Sequence, residues 1–260
     1  MMRSWVAPSS RPPIEAVKRR LSALAPLTGE AEALLDQLNW RRPFPGGIDL
    51  LGEADELHRL SFVASGWAAR VGFLPDGRRQ ILSLLLPGDP IYIGSVARNF
   101  FSGHIITLTP VELLDADVIR VATTSGDARW RCLQDALEVS TRLHEIYLLD
   151  QILRLGRLKA YERICHLLLE IHARLVLAGL SEAGRFHMPL TQEALGDVVG
   201  LSTVHVNRTL QSLRRENLLH LHSSEAMLLD PGTMAAACDY RMPEPSWWRE
   251  LPRVSDAGTD

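Results

Sequence analysis

Residues 190–219, LTQEALGDVVGLSTVHVNRTLQSLRRENLL, decide the fold of this chain. They read as a helix, a glycine-marked corner and a second helix. Thr191 is placed to cap a first helix that carries Ala194, Leu195, Val198 and Val199. Gly200 stands where the corner needs a relaxed backbone, and Ser202 is placed to cap the next helix. In that second helix Val206, Leu210 and Leu213 recur on one face, while His205, Asn207, Arg208, Gln211, Arg214 and Arg215 fall largely elsewhere. An apolar back with a front of Arg, Asn and Gln suits a helix laid in a DNA major groove, because forked donors reach base edges and phosphates. An ordinary helical hairpin has the same outline, so the rest of the chain must choose between the two.

The chain has 260 residues, 46% hydrophobic and 23% charged, which is the composition of a folded protein with room for two modest domains. There is no apolar run long enough to span a membrane, and the first residues, MMRSWVAPSSRPP, lack the apolar core of a secretory signal. Cys132, Cys165 and Cys238 are few, odd in number and widely spaced. Neither a disulfide framework nor a CxxC metal site is indicated, and reduced thiols in a cytoplasmic protein are the expectation. A net charge of −3 argues against a blanket DNA-coating protein but not against a sequence-specific one, since affinity depends on where the positive charge sits.

Residues 1–13 are rich in Pro and Ser and read as a loose arm. Residues 14–24 and 30–38 read as short amphipathic helices, with Thr28 able to cap the second. From Pro43 to about Val121 short apolar stretches alternate with turn signals at 45–47, 65–66, 75–77 and 87–89, the pattern of a β-barrel or jelly roll. The clearest hairpin pairs 68–73 with 79–85 around Asp76-Gly77. Helix signals take over at about Asp127. There Cys132, Ala136, Val139, Leu143, Ile146, Asp150 and Leu153 recur in steps of four and three, a heptad seam with one polar break. A parallel helix from a second subunit is the expected cover for that seam; packing on the chain's own barrel is the alternative. A further helix is expected over about 159–178, then the 190–219 unit, then a hairpin with strands near 218–222 and 226–229. Asp230-Pro231 reads as the start of a closing helix.

In this order (barrel, seam helix, helix-turn-helix, hairpin) the chain resembles the Crp/Fnr family of bacterial transcription regulators over roughly residues 27–240. The most specific pieces are GWAARVGFLPDGRRQILSLLLPGD at 66–89, RLGRLKAYERICHLLLEIHARL at 154–175 and the helix-turn-helix itself. The resemblance implies an α+β protein. An N-terminal β jelly roll of the cyclic-nucleotide-binding type would span 27–126, after an arm and helix over 1–26. A long dimerisation helix would span 127–155, a winged helix-turn-helix domain 156–240, and a mobile tail 241–260. It also implies a homodimer that sets two such domains on a near-palindromic promoter site, with RNA polymerase compatible as a further partner. The expected DNA-contacting set is Thr191, Gln192, Ser202, Thr203, Val204, His205, Asn207, Arg208 and Gln211. Arg208 falls where the family commonly directs an arginine at guanine, and a guanidinium can donate two bonds to O6 and N7. Well-known members carry glutamate four positions earlier, where this chain has Val204. Valine offers no acceptor to cytosine N4, so their half-site is not expected here.

The signal is not named by the residues. The cassette with which some members hold a cyclic nucleotide has a Gly-Glu pair and a later arginine. Here the segment carries Gly94-Ser95 and an Arg98 followed by Asn-Phe-Phe, which argues against cyclic AMP. No cysteine precedes residue 132, which argues against an iron–sulfur cluster. His58 and His104 are the barrel's potential haem ligands, but lone loop histidines are more often plain surface residues. Cys132 reads as a small buried residue before it reads as a redox sensor. Two rival functions remain. A cupin-like enzyme would need a His-x-His pair in the barrel, and His220-Leu-His222 has that spacing only in the expected wing. A ligand-binding module that has lost DNA recognition would not need the Arg208 helix.

Overall fold

The structure, a computed structural model, describes residues 14–41, 43–50, 60–91 and 103–241. The chain opens with helices α1 (Ile14–Leu24) and α2 (Gly29–Leu35), and the Thr28 hydroxyl accepts from the Ala31 amide to cap the second. Seven strands follow: β1 (Asn39–Trp40), β2 (Ser61–Ser65), β3 (Ala68–Phe73), β4 (Arg79–Leu85), β5 (Pro90–Ile91), β6 (His104–Thr107) and β7 (Glu112–Asp115). They form two antiparallel sheets, ordered β1-β7-β2-β5 and β4-β3-β6. Val63, Ile91 and Leu113 of the first meet Ala68, Leu85 and Ile105 of the second in one buried cluster. This is the sandwich that period-two patterning requires when one face of each sheet must leave water. The expected hairpin is present as β3–β4, with Gly77 in the left-handed region at its tip. A bulge between Arg70 and Val71 re-aims the side chains of β3.

The strand reading runs a little too far. Residues 117–121, taken with the barrel, begin helix α3 (Asp117–Thr124), which buries only Ile119. After a 3-10 turn at Ala128–Trp130 comes the long helix α4 (Arg131–Arg157), which runs two residues past its expected end at 155. Helix α5 (Ala160–Leu177) leads into strands β8 (Ser181–Glu182) and β9 (Arg185–His187). The remaining elements are α6 (Gln192–Val199), α7 (Thr203–Arg215), β10 (Leu219–His222), β11 (Glu225–Leu228) and α8 (Pro231–Cys238). Asp230 caps α8 through the Thr233 amide, with Pro231 as its first residue.

The face that α4 turns inward differs from the expected seam by about one residue. Leu133, Ala136, Ser140, Leu143, Tyr147, Gln151 and Arg154 are buried within this one chain. The reason is physical: a 3–4 spacing reports that a helix has an apolar face, not what covers it. Here the cover is local, since Ala136 and Leu143 pack with Val17, Leu21 and Leu24 of α1. Those two seam residues are buried within the single chain. Cys132, Val139, Ile146 and Asp150 lie half-buried at the edge of this face, and only Leu153 stands on the outer side. The outer side is nonetheless apolar near its C-terminal end, with Leu149 at 59% and Ile152 at 68% exposure beside Leu148 and Leu153.

The barrel and the helical domain are not separate cores. Trp67, Val71, Ile81 and Leu84 of the hairpin share one buried cluster with Ile164, Leu168, Val198 and Val199. A chain of buried ion pairs crosses the same region. Arg20 bonds Asp89 at 3.0 Å, Asp89 bonds Arg174 at 2.5 Å, Arg174 bonds Glu170 at 3.0 Å, and Glu170 bonds Arg154. Arg154 in turn donates to the Gln151 side chain and to His166 Nδ1. Burial alone would raise the carboxyls of Asp89 and Glu170, but the guanidinium groups beside them outweigh it and hold both below the usual carboxylate range. The chain of pairs ties α1, the 87–89 turn, α4 and α5 into one unit. Among the described residues no helix is long and apolar enough to cross a membrane.

Candidate nucleic-acid interface

Helices α6 and α7 are set by their own ends. The Thr191 hydroxyl accepts from the Ala194 amide at 3.0 Å, which starts α6. Gly200 ends it in the left-handed conformation (φ 66°), where a side chain would be strained. Gly196 serves a different need: a Cβ there would meet the Leu201 carbonyl oxygen at 2.5 Å, so the corner closes only over glycine. Ser202 caps α7 through the His205 amide, and its hydroxyl also pairs with His205 Nδ1 at 2.9 Å. The back of α7 buries Val206, Thr209, Leu210 and Leu213 against α5 and α6.

The front of α7 is bare. Gln192, Thr203, Val204, Asn207, Arg208, Gln211 and Arg215 line one open concavity on this surface. Of the expected DNA-contacting set, the structure brings Gln192, Thr203, Val204, Asn207, Arg208 and Gln211 together there. Ser202 and His205 stand exposed at the start of the helix. Thr191 is exposed at the start of α6, its hydroxyl engaged as a cap. Asn207 Nδ2 donates to Gln192 Oε1 at 3.1 Å, which fixes two amides across the helix pair. Arg208 makes no hydrogen bond or ion pair with any described residue, so its five donors face solvent. Arg214 is instead half-buried and donates to the Leu221 carbonyl at 3.1 Å, bracing α7 on the following hairpin. Arg215, one turn beyond Gln211, belongs to the front; its spacing of seven from Arg208 is the signal that finds it.

The hairpin β10–β11 turns through Ser223 and Ser224, both at positive φ, the geometry of a two-residue type I′ turn. It is widened by β9 and β8, whose own turn uses Ala183 and Gly184, giving a four-stranded sheet ordered β10-β11-β9-β8. The sequence reading had only the first two strands. Its missed signal is Glu182-Ala183-Gly184-Arg185 between the buried Phe186 and half-buried Leu180. His220 and His222 point from the outer hairpin strand into solvent. Among the described residues no group of three or more His, Cys, Asp or Glu is placed to hold a metal ion. His104 pairs with Asp49 at 2.6 Å and sits edge-on to Phe73, whereas His58, Gly94, Ser95 and Arg98 lie outside the described residues.

The rear of α6 is clasped to the barrel. Arg79 binds Asp197 at 2.6 Å, and the Gln80 amide donates to the carbonyls of Asp197 and Val198 at 2.5 and 3.0 Å. Gln151 donates to the Val198 carbonyl and Arg163 to that of Val199. These bonds satisfy the free carbonyls at the helix C-terminus, where donors and positive charge are favoured.

Comparison with known proteins agrees with this geometry. Residues 162–237 match the family described as the Crp-like helix-turn-helix domain. The transcriptional activatory protein AadR of Rhodopseudomonas palustris is 31% identical over 181 residues, covering 68% of this chain and 71% of that protein. The transcriptional activator protein FnrL of Cereibacter sphaeroides is 28% identical over 220 residues, covering 81% and 85%. Among solved structures, FixK2 from Bradyrhizobium japonicum superposes with a TM-score of 0.60 at 22% identity, over 77% of this chain and 96% of that one. A CRP-family transcriptional regulator from Thermus thermophilus gives 0.57 at 19% identity, over 78% and 100%.

Proposed function

We propose, from the premise that this chain belongs to the Crp/Fnr family of transcription regulators, that the α7 front reads a promoter half-site and that the chain does so as a homodimer. Its relatives are helix-turn-helix activators, and DNA binding is the activity of the family. The observation that carries the residue assignment is Arg208, an unpaired guanidinium on an exposed face whose back is held rigid by Val206, Leu210 and Leu213. Gln192, Asn207 and Gln211 flank it as amide donors and acceptors for base edges, and Val204 (64% exposed) offers an apolar contact such as a thymine methyl would fill. Thr191, Ser202, Thr203 and His205 stand at helix starts, where hydroxyls and amides meet phosphate.

The second subunit would cover Leu148, Leu149, Ile152 and Leu153, an apolar patch at the end of α4 that is costly to leave in water. The protein acts, on this reading, by binding rather than by catalysis, in the cytoplasm, with RNA polymerase as a compatible further partner. An iron–sulfur role for its thiols is disfavoured by number and placement: three cysteines fall short of the four that usually hold a cluster, and Cys132, Cys165 and Cys238 are far apart in the sequence.

The test is selection of sites from a random duplex pool at fixed salt, with Arg208→Ala in parallel. A palindromic consensus that the variant no longer enriches is the expected result. Equal loss on matched and scrambled DNA would make Arg208 a phosphate contact only. No enrichment by the parent protein, with or without cell extract, would favour a sensor module that lacks operator recognition.

A further inference from the structure

The barrel hairpin meets the helix-turn-helix at one charged point. Arg79 opens β4, and its guanidinium spans two carboxylates on α6. Nε binds Asp197 Oδ2 at 2.6 Å, and Nη2 lies 3.6 Å from Glu193 Oε1. Both carboxylates belong to the helix that starts with Gln192, which lines the concavity on the front of α7. Glu193 directly follows Gln192, and its side chain is 74% exposed.

Helix α6 treats its two acids unequally. Glu193 stands in the first turn, where the helix dipole favours negative charge. Asp197 stands in the last turn, where negative charge is disfavoured and α6 has no basic residue of its own. The cation that pairs it comes from the barrel instead. That pair is not what fastens α6 in place. Gln80, Gln151 and Arg163 already bond the carbonyls of Asp197, Val198 and Val199, and Val198 and Val199 share the core with the hairpin.

The helix pair also has no surplus of positive charge. Residues 191–216 carry Arg208, Arg214 and Arg215 against Glu193, Asp197 and Glu216. Arg214 is turned to the Leu221 carbonyl, and Glu216 accepts from Tyr161 and Ser212. Arg208 and Arg215 on the open front are therefore balanced by Glu193 and Asp197. Neutrality is a poor starting point for meeting phosphates, whose contacts draw their strength from cations. Arg79 tips the balance, and it belongs to the sensor.

We propose that Arg79 is a positioning residue for DNA binding: a cation supplied by the barrel that masks Glu193 and Asp197 from the phosphates. It touches no DNA and acts through the two carboxylates. Asp197 lies one helical turn, ~5.4 Å, beyond Glu193. Both are thus inside the ~10 Å over which exposed charges act at 0.1 M salt. Drawing the hairpin off α6 uncovers two negative charges, so affinity follows the hairpin even where α7 keeps its shape. The inference rests on the reading that α6 and α7 face DNA.

The experiment is equilibrium binding of the full chain to the duplex that the parent protein selects, at about 50 and 200 mM salt. Arg79→Gln should bind about three- to tenfold more weakly at the lower salt and approach the parent at the higher. Asp197→Asn breaks the same pair from the other side but removes a negative charge, and should bind at least as tightly as the parent. Arg79→Gln combined with Glu193→Gln and Asp197→Asn should return to within about twofold of the parent. A purely mechanical clasp predicts that both single variants weaken binding alike and that the triple variant stays weak; either result overturns the proposal. Arg79→Gln should keep the parent's circular dichroism, and if it does not fold, the sign of the Asp197→Asn effect decides. A parent that binds no duplex, with or without cell extract, overturns the reading of the α7 front and this inference together. A parent that binds DNA no better than Arg79→Gln does overturns this inference alone.

Discussion

Gln151, two turns from the end of the long helix α4, donates a hydrogen bond of 2.7 Å to the Val198 carbonyl in the helix before the recognition helix. Gln80, from the barrel hairpin, donates to the same oxygen at 3.0 Å. One carbonyl thus joins the sensor hairpin, the long helix and the DNA-reading unit.

Either single alanine substitution leaves the Val198 carbonyl one donor, so protection of the α6 amides should change little, although Gln151→Ala also takes an acceptor from the buried Arg154 and should lower global stability. Gln80→Ala with Gln151→Ala leaves the Val198 carbonyl buried and unpaired, a loss of about 1–3 kcal/mol. Hydrogen exchange of the α6 amides should accelerate in the double variant and not in the singles. Equal protection in all four proteins would show that the Arg79–Asp197 pair and the apolar contacts hold α6 without them.

Acid should loosen the protein before its carboxylates protonate. Burial pushes His144 and His166 down to about 4, assisted by Arg70 for the first and Arg154 for the second. The unfolded imidazoles titrate near 6.5, so between about pH 6.5 and 4 the unfolded chain binds protons that the folded one does not. Stability therefore falls on acidification, by on the order of 1–2 kcal/mol for each histidine from pH 7 to 5. Below that window the depressed carboxyls of Asp89 and Glu170 add a further loss as they are protonated. Urea melts at pH 7, 6 and 5 check the sign; a flat profile would mean that both rings ionise in the fold.

Ile152→Glu alters a residue 68% exposed in a single chain, and should leave the fold intact. If a second copy covers that patch, sedimentation should move from dimer to monomer and DNA affinity should fall with it. An unchanged sedimentation profile would place the subunit contact elsewhere. Leu143→Glu, by contrast, should unfold the barrel–helix contact outright, since Leu143 packs on α1.

Val206 and Arg208 lie two residues apart and should fail in opposite ways. Val206→Asp puts a carboxylate in a position 0% exposed, and the domain should lose its helical circular dichroism. Arg208→Ala should keep the parent spectrum and lose roughly 1–3 kcal/mol of specific binding. A normal spectrum for Val206→Asp would contradict the packing of α7.

What was legible in the sequence was local. Thr191, Gly200 and Ser202 write the helix ends into neighbouring residues, and Asp76-Gly77 does the same for the hairpin. The family resemblance rested on those pieces, and the relatives agree with it. Long-range choices were less visible. What covers α4 was not legible, because packing within the chain and a second subunit demand the same 3–4 spacing. Strands of two and three residues, such as β8 and β9, carry too few positions to show alternation.

Helix α7 divides its labour: Val206, Thr209, Leu210 and Leu213 keep it folded, and Val204, Arg208, Gln211 and Arg215 take no part in that packing. A duplicated copy of this gene could therefore drift at Val204, Arg208, Gln211 and Arg215 without first acquiring stabilising changes elsewhere. If the α7 front reads DNA as proposed, the scaffold is a reusable handle, and its address can be rewritten one surface residue at a time.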